Sequence, residues 1–274
     1  MTVLLSEVGR TGRLDLTFAC TRGRTIVRNA YCEVPYKITR LHDSASNLAH
    51  LILMHCTAGL FGGDVTECTI DVEAGARVRI TQQSATKIHP CQGKVAIQRN
   101  RIHVATNGEL HLDLDPVIPF AGSRAQQSTW IDVERGGRVY FWEGLMAGRI
   151  GHGELWKFDE FSSETLVRVG RLLYLDRFRL APHEQTPNAE WMMRDFHYLG
   201  SGVCVCEDAS DLASRLQERL PCAGVDVPES GLVTVRAVAK TGPEFHMQRS
   251  MFTQSAVPRS DPRESREVRE SGRR

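Results

Sequence analysis

No run of about 18–20 uninterrupted apolar residues, the length of a membrane-spanning helix, occurs in this chain of 274 residues. The longest apolar stretch, LAHLILMHC at 48–56, carries His50 and His55. The opening MTVLLSEVGRTGRLDL lacks a basic segment followed by an apolar core, so no secretory signal is read there and a cytoplasmic location is expected. A surplus of one charge is also missing: 34 Lys+Arg stand against 33 Asp+Glu, a net charge of +1. Non-specific nucleic-acid binding needs a basic surplus or stripe and is excluded. Eight cysteines are present, yet none forms a CxxC pair, which removes zinc ribbons and thioredoxin-like redox sites. In the cytosol such scattered thiols are expected to stay reduced. The chain also has no G-x-x-x-x-G-K-[ST], H-E-x-x-H, G-x-S-x-G or G-x-G-x-x-G.

A period of two dominates what is there. Polar and apolar residues alternate at 68–75, 77–82, 94–105, 109–115, 129–134, 138–144, 166–180 and 232–240. Turn signals separate several of these: EAGAR at 73–77, TNGE at 106–109 and ERGGR at 134–138. No helical pattern interrupts them before about residue 182, which excludes a doubly wound α/β fold. Two helices are expected late, over 208–220 with Pro221 as a stop, and over 243–254. The reading is one mainly β domain over residues 1–256, with elongated, layered or solenoid-like antiparallel sheets. No repeat of fixed length is visible. From Val257 the chain is charge, Ser and Pro, and a disordered tail is expected over 257–274.

Five segments could carry chemistry. In HCTAGLFGGD (55–64), Gly62 and Gly63 make a turn, and Asp64 either caps it or faces a cavity. TQQSATKIHPC (81–91) offers Thr86, Lys87 and the borderline ligands His89 and Cys91. DLDPVIPFAGSRAQQST (113–129) holds Pro116 and Pro119, which suit an edge, a bulge or a connection. In YFWEGLMAGRIGHGE (140–154), Arg149 pairs most simply with Glu143 or Glu154. Cys204 and Cys206 share one face of a strand and suit a core.

Taken in order, HCTAGLFGGD, TQQSATK (81–87), DPVIPFAGSRAQQ (115–127) and GRIGHGE (148–154) resemble the D-type urease accessory proteins, called H-type in some bacteria. GRLDLTF (12–18) and LLYLDR (172–177) fit as well. Thr57-Ala58 stands where that family often has Pro-Gly. The resemblance implies a non-enzymatic scaffold of mostly antiparallel β architecture with two helices. It would bind apo-urease, an F-type accessory protein and, through it, a G-type GTPase that carries nickel. Ni2+ would pass through an internal tunnel, with no tightly bound cofactor and no high-affinity metal site. Carried over by position, Asp64, Glu143 and Asp176 are the acidic positions, and Gly62, Gly63, Thr86, Lys87, Arg149 and Glu154 are motif residues. Carboxylates and hydroxyls suit such a conduit because they hold a hydrated dication loosely. The competing expectation is a metal-dependent hydrolase, with His89, Cys91, His103 or His111 as ligands and Glu143 or Glu154 as base. A β-rich binding protein without metal is a third.

Overall fold

The computed structural model describes residues 9–42, 48–90 and 93–256. Two sheets face each other. The first, sheet A, runs in spatial order β14 (Leu172–Leu180), β13 (Glu160–Val169), β11 (Arg124–Val133), β8 (Ala96–Val104), β5 (Val65–Val72), β1 (Thr11–Thr21) and β2 (Arg24–Cys32). The second, sheet B, runs β16 (Ala223–Glu229), β17 (Leu232–Ala239), β15 (Tyr198–Val205), β12 (Arg138–Met146), β9 (Glu109–Asp113), β6 (Arg77–Gln82), β4 (Ala49–His55) and β3 (Tyr36–Ile38). The short β7 (Thr86–Ile88) and β10 (Val117–Pro119) pair with each other, and β10 also meets β12. The mainly β, layered and solenoid-like class holds.

Strand direction is the correction. The central strands are parallel, with Val65 beside Ile97, Ile97 beside Gln126 and Gln126 beside Ser162. The signals at 73–77, 106–109 and 134–138 read locally as hairpins, but each carries the chain across to the facing sheet. β5 leads to β6, β8 to β9 and β11 to β12, so neighbours within one sheet are two crossings apart and point the same way. The driving force is the apolar inner residues that the central strands of both sheets carry near the tight turns. Leu16, Ile70, Ile102 and Ile131 from sheet A bury against Val78, Leu110, Val139 and Phe141 from sheet B in one core. Antiparallel pairing is confined to the ends, in β1–β2, β13–β14, β3–β4, β12–β15, β15–β17 and β16–β17. The stretch 166–180 divides there, at a turn where Gly170 takes φ 59°.

The two helices, α1 (Ala209–Arg219) and α2 (Gly242–Ala256), fall in the two expected segments, and the 3.6-residue stripe belongs to α1. Asp208 occupies the N-cap position of α1 without a side-chain cap hydrogen bond. Both helices cover the outer face of sheet B. Leu212, Ala213 and Leu216 of α1 join Cys204 and Cys206 in a second core. On α2, Phe245 and Phe252 lie 5.9 and 5.0 Å from the Trp142 ring. Gly202 makes that approach possible, since a Cβ there would sit 2.7 Å from the Phe252 ring.

A third core gathers at the end of the sandwich with the long connections. It contains Leu60, Ile88, Val117, Leu145, Trp156, Phe158 and Phe161. The four motif segments meet around it. Leu60 bridges to Ile88, and Val117 sits beside both Thr86 and Leu145. The expected tail from Val257 lies outside the described residues.

Candidate functional site

The inner row of each sheet A strand changes character at the same height. Moving from the tight-turn end, Val72, Val104, Val133 and Ile70, Ile102, Ile131, Val167 are core. Beyond them the row Cys68, Asn100, Thr129, Thr165, Asp176 runs abreast across five strands. The next row is Thr66, Gln98, Gln127, Ser163. On sheet B, Glu143, Ser201 and Arg236 stand abreast at this height. Two polar levels therefore cross the interior between apolar layers and form a seam.

Glu143 is the centre of the seam. Gln127 donates to its Oε2, and Ser163 and Thr165 donate to its Oε1, each at 3.3 Å. Burial pushes its carboxyl up to about 7; the hydroxyls of Thr165 and Ser163 pull the other way, and the nearby charge of Asp176 adds to the rise. Asp176 forms an ion pair with Arg236 and accepts from Ser201 at 3.4 Å. Small cavities follow this line. One of about 40 Å³ is lined by His55, Cys68, Thr86, Asn100, Gln127 and Glu143, among others. A neck of about 10 Å³ shares Gln127 and Glu143 with it and reaches Ser201 and Arg236. These two residues also line an outer cleft of about 260 Å³ beside Asp176. One water needs about 10–15 Å³ of such space, so the neck has room for about one. At the other side a cleft of about 430 Å³ is lined by Asp64 and Thr66. The hydroxyls of Tyr36 and Thr66, which are hydrogen-bonded, stand between it and the first cavity.

The structure thus brings Thr86, Glu143 and Asp176 to the seam. Asp64 lies in the outer cleft with a task of its own. Its Oδ1 accepts from the Arg10 amide and its Oδ2 from the Phe61 amide, both at 2.8 Å. Gly63, at φ 91°, completes the turn after Gly62. Asp64→Ala is expected to lower stability by about 1–3 kcal/mol through the two orphaned amides, read as a lower urea midpoint. The side chain of Lys87 is exposed, and its carbonyl is so close to Gly59 that a Cβ there would collide with it. Arg149 pairs with Glu154, with Nε 2.8 Å from Oε2, and stacks on Phe120 at 4.1 Å. Glu154 also accepts from the Ala121 amide at 3.1 Å. This pair pins the third motif to the fourth, and Glu143 is no part of it.

Among the described residues no three His, Cys, Asp or Glu side chains converge on a point that could hold a metal ion. His89 is stacked on Phe61 at 4.3 Å and contacts the Ala58 carbonyl at 3.0 Å. His103 lies on the outer face of sheet A beside Asp71, and His111 is buried on the outer face of sheet B beside Glu109. The hydrolase ligands are therefore dispersed; Cys91 lies outside the described residues. The seam residues that sequence reasoning missed are Gln98, Asn100, Gln127, Ser163, Thr165, Ser201 and Arg236. Their signal was polar residues at inward positions of otherwise Val- and Ile-rich strands.

The sequence profile described as UreD urease accessory protein matches residues 10–259. The chain belongs to the UreD family. That span takes in both sheets, the seam and both helices. The urease accessory protein UreD of Deinococcus radiodurans is 32% identical over 259 residues, covering 92% of each chain. Its namesake from Acetivibrio thermocellus is 28% identical over 208 residues, or 75% of this chain and 79% of that one. The one from Bacillus sp. TB-90 is 29% identical over 241 residues, or 85% and 89%. Family membership makes the protein an accessory factor of urease maturation.

Proposed function

We propose that this chain is a non-catalytic cytoplasmic scaffold that binds apo-urease and supports nickel insertion into its active site. It acts together with an F-type accessory protein and, through that protein, a G-type GTPase that carries nickel. Ni2+, the cargo, travels along the seam. The observation that carries this reading is the run of small cavities along the polar seam, between two outer clefts, with one buried carboxylate, Glu143, midway. Hydroxyls, amides and single carboxylates give a hydrated dication successive weak sites, and weak sites allow release. Exposed Trp191, Leu173, Leu175 and Trp130 offer apolar surface for partners.

The test is co-expression of apo-urease with the F- and G-type proteins, with and without this chain. Nickel per urease active site and urease activity are expected to fall together when the chain is omitted. Equal loading in its absence overturns the reading.

A further inference from the structure

His55 ends β4 on the inner face of sheet B, after the core residues Leu51 and Leu53. It lines the cavity of about 40 Å³ together with Glu143, Cys68 and Asn100. Tyr36 holds it edge-on, with ring centroids 4.9 Å apart at 84°. The Nδ1 atom is buried and has no hydrogen-bond partner. Leaving a polar atom in that state is destabilising, which a packing role alone does not require, since Leu or Phe would fill the space without it. Burial pushes the imidazole down to about 4, so the ring is uncharged at neutral pH and carries a nitrogen lone pair. No other described histidine lines the cavities of the seam. Around His55 the remaining donors are oxygen. Glu143 offers carboxylate, and Asn100 gives its Nδ2 to Thr129 at 3.1 Å, leaving its carbonyl as an acceptor. The Cys68 thiol, pushed up to about 12 by burial, stays protonated.

We infer that His55 is the specificity-determining residue of the seam, a single nitrogen ligand that lets a borderline dication such as Ni2+ bind in competition with Mg2+ and Ca2+. The inference rests on the conduit reading above. Mg2+ and Ca2+ take all-oxygen shells, and Mg2+ gives up water reluctantly, whereas imidazole suits Ni2+, Zn2+ and Cu2+. One imidazole with water and oxygen completes a weak shell. It selects the class of cation without trapping it, and it does not separate Ni2+ from Zn2+.

The experiment uses the full chain without a histidine tag and NiCl2 as the metal. Paramagnetic broadening of histidine side-chain resonances is followed in the wild type as nickel is added with millimolar MgCl2 present. His55 is expected to broaden first. Equilibrium dialysis is then expected to show at least tenfold weaker nickel retention against magnesium in His55→Gln. Urease activation by that variant should fall at limiting nickel and recover when nickel is raised. The broadening measurement needs no variant, so a folding defect in His55→Gln leaves the inference testable. It is overturned if His55 stays sharp while surface histidines broaden, or if dialysis is unchanged in His55→Gln. Normal activation by Glu143→Gln with His55 still binding nickel overturns the conduit and leaves the ligand standing. Loss of activation in Glu143→Gln with no effect of His55→Gln overturns the His55 inference alone.

Discussion

Glu143→Gln is expected to lower urease activation at least tenfold while leaving the chain as stable as the wild type, or more so, at pH 7.5. The amide keeps the shape of the side chain and removes the buried charge. Charge is what attracts a dication to the middle of the seam, and charge is also what burial penalises. The pH dependence follows from the carboxyl, which is raised from 4.5 to about 7. Between those values the folded chain holds a proton that the unfolded chain has released. Its stabilisation is full below about pH 4.5 and is lost as pH rises to about 7, with a slope of up to about 1.4 kcal/mol per pH unit. Glu143→Gln lacks this slope. His55, lowered to about 4, adds an opposite slope between its folded and unfolded values, so the quantity to plot is the difference between the two proteins. Urea midpoints from pH 4.5 to 8 give it, and a flat difference would remove the buried-carboxylate account.

Glu109→Ala is expected to destabilise the fold by about 3 kcal/mol, the cost of breaking a buried ion pair. Glu109, 2% exposed, stands between Arg77 and Arg138 on adjacent strands. Arg77 Nε lies 3.0 Å and Arg138 Nη2 2.9 Å from its Oε2, and His111 Nε2 lies 2.8 Å from its Oε1. Burial works to raise its pKa, but the hydrogen bonds from His111 and Arg77 outweigh it and hold the carboxyl at about 2. The stability this group contributes is present above about pH 4.5 and is lost as pH falls towards 2. Glu164→Ala, which removes an exposed partner of Arg177, is the control and should change stability by about 0–1 kcal/mol. Denaturant unfolding of both variants checks the contrast, and equal costs would sink it.

The strands and α1 were legible because alternation and the 3.6-residue stripe are local properties, whereas α2 carries no comparable stripe. Strand direction was not legible, since a tight turn such as 73–77 has the same residues whether it closes a hairpin or crosses between sheets. The coil repeat was also hidden. QRNRIHV (98–104), QSTWIDV (127–133) and SETLVRV (163–169) share one pattern, two polar inward positions followed by two apolar ones, and TECTIDV (66–72) follows it with Cys68 at the second position. Equivalent residues are 32, 29 and 36 positions apart, because the connections at the long-loop end differ in length. A search for a fixed period passes over them. Motif matching singled out Glu143 and Asp176 but not Arg236, nor Gln127 at the end of the third motif, whose meaning depends on what the facing sheet brings opposite them. It also placed Asp64 among the acidic positions without distinguishing a turn cap from a channel wall, and both carboxylate oxygens accept backbone amides.

The coil construction turns the interior into a ruler. One inward polar pair comes from each coil, and neighbouring coils are spaced by the distance between hydrogen-bonded strands, about 4.8 Å. The row from Cys68 to Asp176 crosses four such steps, about 19 Å. Its length can therefore change only in whole increments, by gaining or losing a coil. Long connections can grow or shrink at one end of the sandwich without altering it, so surface diversification and internal span are free to evolve independently.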